Sequence, residues 1–194
     1  MRSLKRNLVI LLIAVIAVAG VWIWDGSGKS ASSGQPAEAS GRVLGDIPAK
    51  PAPKANHFAP EFSLNELDGS GSYSVGGKRD KALIINFWAA WCGPCEVEAP
   101  DLKEIYEDHQ AQLDLYAINA TNYDRVRAAK DFVKEQGFVF PVLTDAEGVA
   151  GDLYKITGYP VSFIIDKDGV IRHRIEGIID RKEWDKLLQD VLVS

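Results

Sequence analysis

Cys92 and Cys95 are the only cysteines among 194 residues, and they stand three positions apart in Trp91-Cys92-Gly93-Pro94-Cys95. Two thiols at this spacing can exchange with a foreign disulfide. The attacking species must be a thiolate. The motif follows the apolar run Ala82 to Trp88 and opens a stretch with helical character. The first cysteine therefore falls where unpaired helix N–H groups favour negative charge. Cys92 is the expected nucleophile, at an exposed helix start. Cys95, one turn on, is the expected resolving thiol. Pro94 suits a first helical turn, where its missing N–H would have had no intrahelical partner.

Other chemistries fit less well. A disulfide scaffold needs more bridges spread along the chain. A structural zinc site needs four ligands, and His57, His109 and His173 are scattered. Glu96, not histidine, follows the second cysteine, so covalent haem attachment is not indicated. No metal and no cofactor beyond the Cys92–Cys95 pair is expected. The net charge of −5 argues against a nucleic-acid partner, and 46% apolar with 25% charged residues is ordinary for a globular protein.

The positioning elements can be sketched from periodicity. Phe62 to Leu64 and Tyr73 to Val75 read as short strands around the turn-rich Asp68 to Gly71. Ala82 to Trp88 reads as a central strand covered on both faces. A helix follows from near Cys92 to about His109, with Pro100 as a kink. Leu113 to Ile118 is a strand. Asp124 to Gln136 is a helix with Val126, Ala129, Phe132 and Val133 inward, stopped by Gly137. Val139 to Leu143 is a short strand weakened by Pro141, and Ala146 to Tyr154 a short helix. Val161 to Ile165 and Val170 to Ile175 form a hairpin. Arg181 to Val193 is an amphipathic helix with Trp184, Leu187, Leu188 and Val191 inward. The order implies an α/β architecture with a mixed sheet.

Residues 1–24 read as a cytoplasmic stub and signal anchor. Arg2, Lys5 and Arg6 precede an uncharged run from Leu8 to Trp24. Seventeen residues at ~1.5 Å each span about 26 Å, enough for a bilayer core. Basic residues stay in the cytoplasm, so the remainder faces outward. A cleaved signal peptide ending near Ala17-Val18-Ala19 is the competing reading; both export the domain. Residues 25–54, rich in Ser, Gly, Ala and Pro, read as a flexible linker, and 55–194 as the folded domain.

Phe87-Trp88-Ala89-Ala90-Trp91-Cys92-Gly93-Pro94-Cys95 resembles the active-site stretch of thioredoxins. With the N-terminal anchor, Pro60 to Leu64 and Ile85-Asn86 before the motif, it is closer to membrane-anchored extracytoplasmic thioredoxin-like proteins of the ResA/TlpA/CcmG type. The resemblance implies a thioredoxin fold with an N-terminal β-hairpin and a central insertion. It implies a thiol–disulfide oxidoreductase, reducing disulfides in exported proteins such as apocytochrome c. A membrane thiol donor would re-reduce it. A monomer tethered to the cell membrane by a single span, with its catalytic domain on the extracytoplasmic side, is expected. Pro100 matches the family's kink proline, and Gly158-Tyr159-Pro160 its cis-proline loop. Trp91, Gly93, Pro94, Tyr159 and Pro160 are the implied substrate-binding residues. Thioredoxins place a buried aspartate where this chain has Asn86. ResA-like proteins carry a glutamate matching Glu98, which makes Glu98 a catalytic candidate; the bland reading is a solvated glutamate in an acidic first turn. An oxidase or isomerase of the same fold is an alternative. A peroxiredoxin is another, although it would need a threonine where Ala89 stands.

Overall fold

The computed structural model describes residues 47–193. The expected anchor and residues 25–46 of the expected linker lie outside them. Among the described residues, no helix is long and apolar enough to cross a membrane.

The sheet is built around the apolar run anticipated above. Of the chain's strands, β1 is His57–Phe58, β2 Phe62–Asn65, β3 Ser72–Val75 and β4 Ala82–Trp88. All seven residues of β4 are buried, as expected of a strand covered on both faces. β5 (Leu113–Asn119) pairs parallel to β4, and β6 (Val142–Thr144) parallel to β5. Parallel neighbours need crossover connections, supplied by α1 (Gly93–His109) and α2 (Val126–Gln136). On the other side, β7 (Val161–Ile165) runs antiparallel to β4, β8 (Val170–Glu176) to β7, and β1 to β8. The order is β1-β8-β7-β4-β5-β6, with β2 and β3 forming a separate hairpin. This is a thioredoxin-like fold.

Side-chain alternation along a strand sorts the core into two layers. Ala82, Ile84 and Trp88 pack with α1, α2 and α4 (Arg181–Leu192). Leu83, Ile85 and Phe87 pack with the β2–β3 hairpin and α3 (Val149–Leu153). Asn86 belongs by alternation to the first layer and is the polar residue that β4 contributes to it.

Three expected elements are shorter than expected, each for a local reason. α2 starts at Val126 rather than Asp124, because the Asp124 carboxylate is bonded back across the loop and Arg125 stays extended. Val126 is consequently exposed, not inward. β6 begins at Val142, past Pro141, which has no N–H to donate. α3 begins only after Gly148, held at φ 73°, with the Asp145 carboxylate accepting from the Ala150 and Gly151 N–H groups. The two-residue β1 gave no periodic signal in the sequence. Pro100 lies inside α1, which continues through it.

Candidate active site

α1 starts at Gly93, with Cys92 as its N-cap in extended conformation and Pro94 in the first turn. The Cys95 N–H donates to Cys92 Sγ at 3.2 Å, and the Cys92 carbonyl accepts from Cys95 and Glu96. The sulfur of Cys92 thus sits at the positive end of the helix, where a thiolate is favoured. The two cysteines form a disulfide, with Cα atoms 5.3 Å apart. Cys92 is not the exposed thiol expected from its position. It is 5% exposed and Cys95 4%, because both side chains belong to the apolar cluster containing Trp88 and Ala99. What distinguishes the two sulfurs is the helix terminus, not exposure. Gly93 and Pro94 are exposed, and so is Trp91.

β7 runs antiparallel to β4 with Phe87 opposite Val161. That register brings Pro160, just before β7, level with the end of β4 where the motif begins. The Tyr159–Pro160 bond is cis. Pro160 is buried and its carbonyl accepts from Gly177 N–H. Tyr159 is half-buried, its ring edge-on to Trp91 at 5.7 Å between centroids. The expected residues on both sides of the disulfide therefore converge.

Glu98 is not a solvated surface residue. It is 2% exposed, one turn beyond Cys95 on the buried stripe of α1 with Ala99, Leu102 and Ile105. Asn86 Nδ2 donates to Glu98 Oε2 at 2.9 Å and to Ser162 Oγ at 2.9 Å. Glu98 Oε1 has no hydrogen-bond partner. Burial pushes the Glu98 carboxyl from 4.5 up to about 7, opposed by the Asn86 hydrogen bond and helped slightly by Asp101. A carboxylate at the base of the site thus comes from the helix, and Asn86 on the strand serves it as a donor.

Two positioning residues had not been identified from sequence. Ser162 completes the knot joining β4, α1 and β7; its only signal was a hydroxyl inside the apolar run Val161 to Ile165. Asp124 Oδ2 accepts from Ala90 N–H at 2.6 Å and from Asn119 Nδ2 at 2.8 Å, while Oδ1 accepts from Arg125 N–H at 2.7 Å. It clamps the backbone two residues before Cys92, and nothing in the local pattern marked it. No group of three metal-ligating side chains occurs among the described residues.

The chain matches the model of the AhpC/TSA family over residues 55–174. It is 33% identical over 131 residues to thioredoxin-like protein YneN of Bacillus subtilis (strain 168), covering 67% of this chain and 76% of that one. It is 32% identical over 134 residues to thiol-disulfide oxidoreductase ResA of Bacillus thuringiensis subsp. konkukian (strain 97-27), covering 69% and 76%. The crystal structure of StoA from Bacillus subtilis superimposes with a TM-score of 0.59 at 25% identity, covering 66% of this chain and 96% of that one. The stretch matched by the family model contains both the disulfide at a helix N-terminus and the cis-proline loop beside it: the chain belongs to the AhpC/TSA family, as a thioredoxin-like thiol–disulfide oxidoreductase.

Proposed function

We propose that the protein is a reductant of disulfides in exported proteins, acting from the extracytoplasmic side of the cell membrane through the Cys92–Cys95 dithiol. The observation that carries the catalytic part is the buried Glu98 carboxyl, poised near neutrality one turn from Cys95. A general acid–base works best when its pKa lies near the operating pH.

In the proposed cycle the Cys92 thiolate attacks one sulfur of the substrate disulfide. A mixed disulfide forms and the first substrate sulfur leaves as a thiolate, which takes up a proton. Glu98 accepts the Cys95 proton. The Cys95 thiolate then attacks Cys92 Sγ, releasing the second substrate sulfur and closing the Cys92–Cys95 disulfide. Two electrons pass to the substrate. A membrane thiol donor must return them. Trp91, Gly93, Pro94, Tyr159 and Pro160 offer the docking surface. β7 begins at Val161, so the Tyr159 backbone lies beyond the ladder and can pair with an extended substrate strand. Apocytochrome c is a substrate of the kind this reading implies. The extracytoplasmic assignment rests on Arg2, Lys5 and Arg6 before the apolar run Leu8 to Trp24.

The redox direction is tested by equilibrating the dithiol against glutathione. Gly93-Pro94 is the dipeptide of reducing thioredoxins, so the expected potential is about −220 mV or lower. A value close to −120 mV, that of a strong oxidant, overturns the assignment.

A further inference from the structure

Trp91 and Tyr123 are 61% and 73% exposed, the two large aromatic rings so placed among the described residues. They border one pocket of about 290 Å³, completed by Ala90, Asp124, Arg125 and Ala128. The volume is at the low end for ligand pockets, suited to one side chain and not to a cofactor. The pocket is held in shape by the loop after β5. Asp124 grips Ala90 N–H, and Trp91 Nε1–H donates to the Tyr123 carbonyl at 3.3 Å.

The pocket shares Trp91 with the reactive surface. Trp91 precedes Cys92 directly and meets Tyr159 of the cis-proline loop edge-on. A polypeptide whose cysteine is joined to Cys92 is thereby brought close to the exposed Trp91 ring. The lining indicates what it would carry there. The Asp124 carboxylate already accepts three hydrogen bonds. Arg125 is exposed and makes no ion pair among the described residues. Two exposed ring systems beside a cation suit an aromatic side chain, through edge or stacked contacts and cation–π attraction. A carboxylate would meet Arg125 but also the charge of Asp124, and would gain nothing from the rings.

We infer that this pocket is a subsite for an aromatic side chain flanking the target cysteine of the substrate polypeptide. The inference rests on the reading of the protein as a reductant of protein disulfides. The test uses the reduced full chain and a series of disulfide-bonded peptides, alike except for Phe, Gly or Glu beside the cysteine, on either flank in separate peptides. In the unsubstituted protein kcat/KM for a Phe peptide should exceed that for its Gly counterpart by roughly tenfold, the size of one good aromatic contact. Tyr123→Ala should bring the Phe/Gly ratio close to one, and Arg125→Ala should lower it. The ratio is taken within each variant, so altered folding or thiol reactivity cancels. Equal rates for Phe and Gly in the unsubstituted protein, or an undiminished ratio in both variants, overturns the subsite. A preference for Glu over Phe overturns the aromatic assignment in favour of charge reading by Arg125. If no peptide is reduced while both thiols still titrate, the reductant reading fails first and the subsite with it.

Discussion

At the scale of single residues, the site sets a helix-end sulfur against a buried acid. Because Cys92 and Cys95 are nearly equal in exposure, their roles should be decided by the helix terminus. Cys95→Ser should trap a mixed disulfide through Cys92, whereas Cys92→Ser should trap none; preferential alkylation of Cys95 in the reduced protein would reverse the roles. Glu98 makes a sharper prediction. Its folded-state pKa is raised from 4.5 to about 7 by burial, so its contribution to stability is full below pH 4.5 and is lost as pH rises through 7. The loss at pH 8 is about 3 kcal/mol at most. Glu98→Gln should abolish this dependence, giving urea midpoints that change less between pH 4.5 and 8 than those of the unsubstituted protein. It should also lower the Cys92 pKa, since the ionised carboxylate disfavours a second negative charge nearby, and slow substrate reduction. Thiolate absorbance against pH, with turnover on one disulfide substrate, reads both effects. The sequence placed Glu98 on the Cys95 face of the helix by its spacing. Its burial was not legible, because that depends on Asn86 of β4 donating to it while Ser162 of β7, distant in sequence, holds Asn86 in place.

At the scale of elements, the regular parts were legible and the irregular ones were not. β4 and β7 could be bounded to the residue because near-continuous apolar runs, broken only by Asn86 and Ser162, leave little choice. α4 declared itself through Trp184, Leu188 and Val191, all fully or nearly buried on one face. The loop from Ala120 to Arg125 declared nothing, since its order comes from a carboxylate bonded across to another element. That clamp is testable. Asp124→Ala would leave the Ala90 N–H and the Asn119 amide without their acceptor, at a cost of about 2–4 kcal/mol. Asp124→Asn, which keeps one carbonyl oxygen, should cost less. Hydrogen exchange at the Ala90 amide should quicken in the alanine variant before global unfolding is detectable. Unchanged Ala90 protection would mean that the segment before Cys92 is held by the sheet and not by the loop.

At the scale of the molecule, the sheet separates the redox site from a second layer that anchors the N-terminal hairpin. Tyr154 joins the parts of that layer. Its ring lies 5.4 Å from Phe62 of the hairpin, 5.6 Å from Phe87 of β4 and 5.0 Å from Phe163 of β7, between centroids. Its hydroxyl donates to the Pro60 carbonyl at 2.8 Å in a buried setting, and burial holds the phenol far above its ordinary pKa. Tyr154→Phe keeps the rings and removes only the donor, leaving the Pro60 carbonyl unpaired at a cost of about 1–2 kcal/mol. Tyr154→Ala also empties the centre of the aromatic cluster and should cost about 3–5 kcal/mol. Phe87 and Val161 belong to this layer, whereas the cysteines and Glu98 lie in or beside the other one. The phenylalanine variant should therefore unfold at lower denaturant concentration with an unchanged slope, while the Cys92–Cys95 potential and the Cys92 pKa stay where they were. A shift in either thiol property, with the slope unchanged, would show that the two layers are coupled through β4 and that the hairpin helps set the chemistry on the far side of the sheet.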